Sequence, residues 1–317
     1  MNPFNDLIKA MDKVIQKADD DLSKRLKKEG FISPDETVEQ INELEDTLSD
    51  ILDKQKELVS QGLEACTLDD AILDTMQAIM DMDTTEALFT EAFLDKFNTF
   101  MSTLADLYIK EYDTELAFSM FTDRTTAWIN EWSSELGNIM KLNSYADVER
   151  ILNAGLENGE SIQDVLDKLT DAYGFSRKRA RATAITEILT AHSYAAEESL
   201  RQCPSVEKKE WVHSGTHKNK PREHHVALGG TMIPKNEKFL IVAPTGSFEA
   251  MFPRDITLPA SERVNCHCVH RGIINDDVLG LTLQERRKLQ QEAILEDNGL
   301  WEEELNASNK AKAGIEI

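Results

Sequence analysis

All seven histidines of the chain, His192, His213, His217, His224, His225, His267 and His270, lie between positions 192 and 270. Three of the four cysteines, Cys203, Cys266 and Cys268, lie in the same interval. Thiolate and neutral imidazole are the ligands that structural zinc takes four at a time. Cys266 and Cys268 form a CxC pair, and on a strand alternate residues project to one face, so both sulfurs could reach a single ion. His225, with either His213 or His217, would complete a structural zinc site. The alternative is packing: two small residues on a terminal core strand, with the histidines hydrogen-bonded around a polar turn. A lone CxC is less diagnostic than two CxxC pairs, so both readings stand.

A catalytic reading uses some of the same residues. Arg222 and His225 could act on a phosphate as an anion stabiliser and an acid-base group, as in a nuclease or a toxin-like effector. Asp255, in the run Phe252-Pro253-Arg254-Asp255, is the candidate second acid, but an aspartate in a turn next to proline usually serves its own backbone. The chain has no GxSxG, no HExxH and no phosphate-binding glycine loop ending in Lys-Ser or Lys-Thr. A protein that is not an enzyme is the expectation.

The elements that must position these residues change character near Pro204. Residues 1 to about 205 carry apolar positions at three- and four-residue intervals with little glycine, which predicts helices. Ser33-Pro34-Asp35-Glu36 opens one, with Val38, Ile41, Leu44, Leu48 and Ile51 along one face. Leu88, Phe93, Phe97, Met101, Leu104 and Tyr108 line another, and Phe121, Trp128 and Trp132 gather on a third, where a tryptophan could also anchor a partner protein. Ser161 and Asp164 start a short helix that ends at Gly174, where a left-handed cap is easy. Ser176 caps a longer one whose first turns hold Arg177, Lys178, Arg179 and Arg181. Positive charge there opposes the helix dipole and requires a carboxylate or a bound phosphate nearby. Beyond Pro204, short β-prone runs such as KEWVHSG, FLIVAPTG and VNCHCVHRGI replace the stripes, and from Asp276 a polar helix returns with an end expected to fray.

The fold class expected is therefore α+β, divided into an acidic helical bundle over 1–140, a helical lead-in with the basic helix over 141–205, a small β-containing core over 206–275 and a polar helical tail over 276–317. A net charge of −23 argues against a surface that grips nucleic acid throughout. From Ser176 to Arg222, however, ten Lys or Arg stand against five Glu. Any DNA contact would be local to that basic helix, and a zinc-stabilised DNA-contact module is one reading of the whole pattern. No run of apolar residues is long enough to span a bilayer, no signal peptide is visible, and so few cysteines fit a reducing compartment.

In their order, these elements resemble the phage head morphogenesis proteins typified by the Mu F-like minor head protein. The resemblance rests on the lead-in GESIQDVLDKL, on Arg181-Ala182 and Thr186-Glu187, on Trp211, on Pro221-Arg222 with His225, and on Leu228, Gly230 and Phe239. It continues through Phe252 to Asp255 and closes on Asn265-Cys266-His267-Cys268. It covers about residues 144 to 273. The sequence departs from the family where Lys218 or Asn219 and Gly229 replace acids and where His267 replaces an arginine, which weakens a metal-hydrolase reading and leaves a structural domain intact. The resemblance implies a minor capsid protein of the virion, placed in the phage head near the portal and in the host cytoplasm during assembly. Its implied partners are the portal protein and other head proteins. Its implied roles are head morphogenesis and DNA packaging or ejection, with residues 1–140 as the docking region for other virion proteins.

Overall fold

The computed structural model describes residues 18–69, 71–213 and 221–312. His217, Lys218 and Asn219, and the last residues of the tail, lie outside the described residues. The order of elements is α1 (18–29), α2 (Pro34–Glu64), α3 (Ile72–Met82), α4 (Thr85–Tyr112), α5 (Asp123–Asn158), α6 (Ile162–Thr170) and α7 (Arg177–Gln202). It continues β1 (Val206–Val212), α8 (Glu223–Leu228), β2 (Met232–Pro234), β3 (Phe239–Ala243), β4 (Gly246–Ala250), α9 (Ala260–Arg263), β5 (Val269–Ile274), α10 (Asp276–Leu279) and α11 (Leu283–Lys312). The class is α+β, with helices through the first two thirds, a small β-containing region and a helix at the end.

Internal contacts gather into two compact units. One takes residues up to 39, 99–127 and those from 186 on, and the other takes 40–98 and 128–185. This division cuts across the four consecutive segments expected from the sequence, because the long helices α2, α4, α5 and α7 each give part of their length to either unit.

The second unit is all helical. Ile41, Leu44, Leu48, Ile51 and Leu52 of α2 are buried, as a stripe at helical spacing requires. Phe97 packs on Trp128 with ring centroids 5.0 Å apart, which makes that tryptophan core rather than an exposed anchor. The capping box at Ser161 forms as its spacing predicts, with Asp164 returning the bond to the Ser161 amide. Gly174 is not a left-handed cap, contrary to expectation. It is buried against α5, where an added Cβ would lie 3.0 Å from an oxygen of Asp147, and its amide donates to that carboxylate at 2.7 Å.

The first unit holds both sheets. In the three-stranded sheet the order is β2-β1-β5 with antiparallel pairing, and β3-β4 is a separate hairpin. Lys209 lies opposite Gly272, and Trp211 lies opposite His270. Alternation along a strand puts these four on one face. There Lys209 Nζ donates to Glu197 of α7 at 3.0 Å, and His270 Nε2 is 3.2 Å from the other oxygen of that carboxylate. Glycine at 272 permits this packing, since a Cβ would come within 2.8 Å of Val206 and 3.0 Å of Tyr112.

Candidate functional site

Three residues of the predicted ligand set meet in the interior of the first unit. His225 Nδ1 lies 3.6 Å from Cys266 Sγ and 3.9 Å from Cys268 Sγ. His213, just past the end of β1, brings its Nδ1 to 3.5 Å from Cys268 Sγ. Cys266, Cys268 and His225 are buried, and Trp211 closes one side with its ring 5.7 Å from that of His225. The hydrogen bond between the two thiols holds Cys266 well below the usual thiol range, helped by His225 and Arg254, and pushes Cys268 up together with burial.

Each of these side chains is placed by a local device. Arg222 is the N-cap of the short helix α8, and the His225 amide donates to the Arg222 carbonyl at 3.0 Å. After α8 the chain reverses at Gly230, whose φ of +86° suits glycine, and its amide bonds the Trp211 carbonyl at 2.9 Å. Asn265 takes φ +56°, a left-handed conformation that asparagine tolerates better than most residues. The CxC pair does not sit on a strand as expected; it forms the lead-in to β5. Its carbonyls turn toward an arginine instead of a neighbouring strand.

That arginine is Arg254, which the sequence reading passed over in favour of Asp255. Its Nη1 donates to the carbonyls of Cys266 and Cys268, both at 2.8 Å, its Nε to the Leu189 carbonyl at 2.8 Å, and its Nη2 to Ser193 Oγ at 2.6 Å. The guanidinium also lies 5.3 Å from the centre of the Phe31 ring. Its backbone has φ +69°, a costly conformation for a residue with a side chain, here fixed by those four bonds. Asp255 serves its own turn: Oδ2 accepts from the Met251 amide, and Oδ1 accepts from the amide and hydroxyl of Thr257.

Glu262 is the second residue that holds the cluster, and no motif marks it. Pro259 starts the one-turn helix α9, which brings the Glu262 carboxylate to 2.9 Å from His225 Nε2 and 2.7 Å from His224 Nε2. Burial works to raise this carboxyl, but the bonds and charges of His224 and then His225 outweigh it and hold it below its ordinary value. Arg222 stands 3.9 Å away, and it also donates to the Val264 carbonyl at 2.8 Å. Arg222 and His225 therefore converge, but on an internal carboxylate.

The remaining histidines have other occupations. His267 Nδ1 lies 2.8 Å from the buried carboxylate of Glu29. His192 sits between Thr37 and Tyr108, with Phe31 and Phe100 meeting its ring edge-on. Burial, and then the Arg254 charge, push its pKa down to about 3, so it is held neutral.

At the start of α7 the cations differ in their surroundings. In the second unit Arg177 pairs with Glu45 and Asp46, and Arg181 pairs with Asn42 and Glu45. Arg179 is buried, donating to Ser144 Oγ and to the carbonyls of Gly174 and Met140. Burial lowers it to about 10, which leaves it a cation at neutral pH. Lys178 is exposed. The dipole conflict at this helix start is answered by acids from α2.

Comparison with known proteins places the same stretch in a family. The family described as phage Mu protein F like protein matches residues 146–271. YqbB of Bacillus subtilis strain 168, described as uncharacterized, is 36% identical over 307 residues, covering 93% of this chain and 99% of the relative. No solved structure matches. The matched stretch contains the thiol and histidine cluster together with the arginine and glutamate that hold it, and the likeness to YqbB runs through nearly all of the chain, so the protein belongs to the phage Mu protein F-like family of phage head-related proteins.

Proposed function

We propose that this protein is a minor head protein that associates with the portal and acts in head morphogenesis. The observation that carries this reading is the match to the Mu F-like family over residues 146–271, the stretch whose polar residues are spent on holding one another in place. An internal frame of that kind suits a scaffold element of the virion. The helices before the matched stretch offer surface in a chain of net charge −23, and we assign docking to the portal and other head proteins to them. Among the described residues no helix is long and apolar enough to cross a membrane.

We assign no catalytic role to Arg222 and His225. A phosphate entering between them would have to displace Glu262 from a buried position. A part in DNA packaging or ejection would have to use residues other than Arg177, Arg179 and Arg181, which are already engaged. The test is mass spectrometry of purified particles combined with co-purification of the portal. A few copies per particle, and capture of the portal by the full chain, are expected. Particles that lack the protein, together with normal infectious heads from a deletion strain, would overturn the proposal. Cleavage of added nucleic acid by the wild-type chain, lost in His225→Ala, would favour the nuclease reading instead.

A further inference from the structure

We propose that Cys266, Cys268, His225 and His213 bind one structural zinc ion, with Glu262 fixing the orientation of His225. A zinc ion about 2.3 Å from sulfur and 2.0–2.1 Å from nitrogen, at tetrahedral angles, sets sulfur–nitrogen edges of about 3.6 Å. Three of the four sulfur–nitrogen edges of such a site measure 3.6, 3.9 and 3.5 Å here. The ligand atoms of His225, Cys266 and Cys268 all lie within 4.8 Å of one another; His213 stands outside that group, 3.5 Å from Cys268 Sγ alone, and supplies the fourth ligand by turning toward the other two.

The outer arrangement agrees. A histidine that binds zinc through one ring nitrogen commonly directs the other at a carboxylate, which fixes tautomer and ring plane. His225 does this, with Nδ1 toward the sulfurs and Nε2 at 2.9 Å from Glu262. Two thiolates and a divalent ion leave the cluster neutral, which suits its burial beside Trp211 and Phe239. Binding releases both thiol protons to solvent and oxidises nothing. With four protein ligands the ion has no open position, so its role is to hold the end of β1, α8 and the lead-in to β5 together.

A competing group exists, made of His224, His225 and Glu262. There the nitrogens stand 2.7 and 2.9 Å from the carboxylate oxygen. Nitrogen and oxygen on one tetrahedral zinc would be about 3.3 Å apart, so the observed separations are those of hydrogen bonds.

The test is metal analysis of the full-length chain purified without chelators, followed by cobalt substitution. One zinc per chain is expected, and the cobalt form should show thiolate-to-cobalt charge transfer and the strong visible bands of a tetrahedral site. Cys266→Ser and Cys268→Ser should each lose the metal. Glu262→Gln should keep it with affinity reduced about 10- to 100-fold. To guard against variants that misfold, thiol-blocking reagent is titrated into the folded wild type, and zinc release should follow the loss of two thiols. A folded wild-type chain with no zinc, and with no rise in melting temperature when zinc is added, would overturn the proposal. So would metal loss in Glu262→Gln with retention in Cys266→Ser, which would move the ion to the competing group.

Discussion

Arg254→Met is the most informative single perturbation of this fold. Methionine keeps much of the length of the arginine stem and removes the guanidinium. Three carbonyls, of Leu189, Cys266 and Cys268, lose their donor in an interior where Arg254 is 1% exposed. Ser193 can turn its hydroxyl to its own helix and costs little. An orphaned buried acceptor costs about 1–3 kcal/mol. The Leu189 carbonyl keeps its helical bond within α7, so the two carbonyls of Cys266 and Cys268 carry the cost, about 3–4 kcal/mol near the middle of that range. Losing the Phe31 contact adds about 1 kcal/mol, and freedom from burying a cation gives back about as much. The net expectation is a loss of about 3–4 kcal/mol, or about 6–16 °C in melting temperature for a unit of this size. Urea unfolding followed by tryptophan fluorescence, with calorimetry as the second probe, measures it. Arg254→Lys should recover less than half, because one ammonium cannot span acceptors arranged around a planar fork. A methionine variant within 0.5 kcal/mol of wild type, or a lysine variant equal to it, would refute the claim that hydrogen bonding at this point organises the unit.

Other expectations follow from the same geometry. His192 is neutral in the fold with its pKa at about 3, so the unfolded chain takes up a proton first as pH falls, and stability drops through the window from 6.5 downward. Between pH 7 and pH 5 this contributes a loss of about 2 kcal/mol, and His192→Gln should flatten the pH profile of chemical unfolding by that amount, whatever its absolute stability. Breaking the buried Lys209–Glu197 pair with Glu197→Gln should cost about 3–5 kcal/mol in denaturant titrations, whereas Lys209→Met with Glu197→Leu should recover most of it. At Gly137 an added Cβ would stand 2.7 Å from the Glu86 carbonyl and closer still to Thr90, so Gly137→Ala should destabilise by about 1–3 kcal/mol despite alanine's better helix propensity. Thr90→Ala in the same chain should restore only part of the melting temperature, because the Glu86 contact remains.

What the sequence made legible was local or compositional. The gathering of histidines and cysteines marked the cluster, and Ser161 with Asp164 marked a helix start because a capping box is complete within four residues. The family resemblance rested on the order of short motifs, and the matched stretch carries them. Other features depend on partners far along the chain. The Arg177–Arg181 turn calls for a carboxylate or a phosphate without saying which, because Asn42, Glu45 and Asp46, which meet it, stand well over a hundred positions earlier. Glu262 gives no signal at all, since its role exists only once α8 and α9 are side by side. Arg254 had a faint one: a charged residue between Pro253 and Asp255 in an apolar stretch, at a position that Asp255 drew attention away from. A CxC pair reads as a strand because alternation is the simplest way to aim two sulfurs together; an extended lead-in does the same when a side chain, not a neighbouring strand, takes its carbonyls.

The split composition of the first unit has a consequence for synthesis on the ribosome. The other unit has all of its stretches once Ile185 has been made. The first unit does not, because Glu29 at the end of α1 waits for His267, 238 positions later. At about 5–20 residues per second that interval lasts on the order of 10 to 50 seconds. Through most of it Phe31, whose ring packs against His192 and the Arg254 guanidinium, has only part of its buried surround. Chains arrested before Cys266 should therefore be cut by protease within α1 while the stretch 128–185 resists, and a chaperone that holds the nascent chain would find its binding site at the beginning of the chain, long before the end exists to claim it.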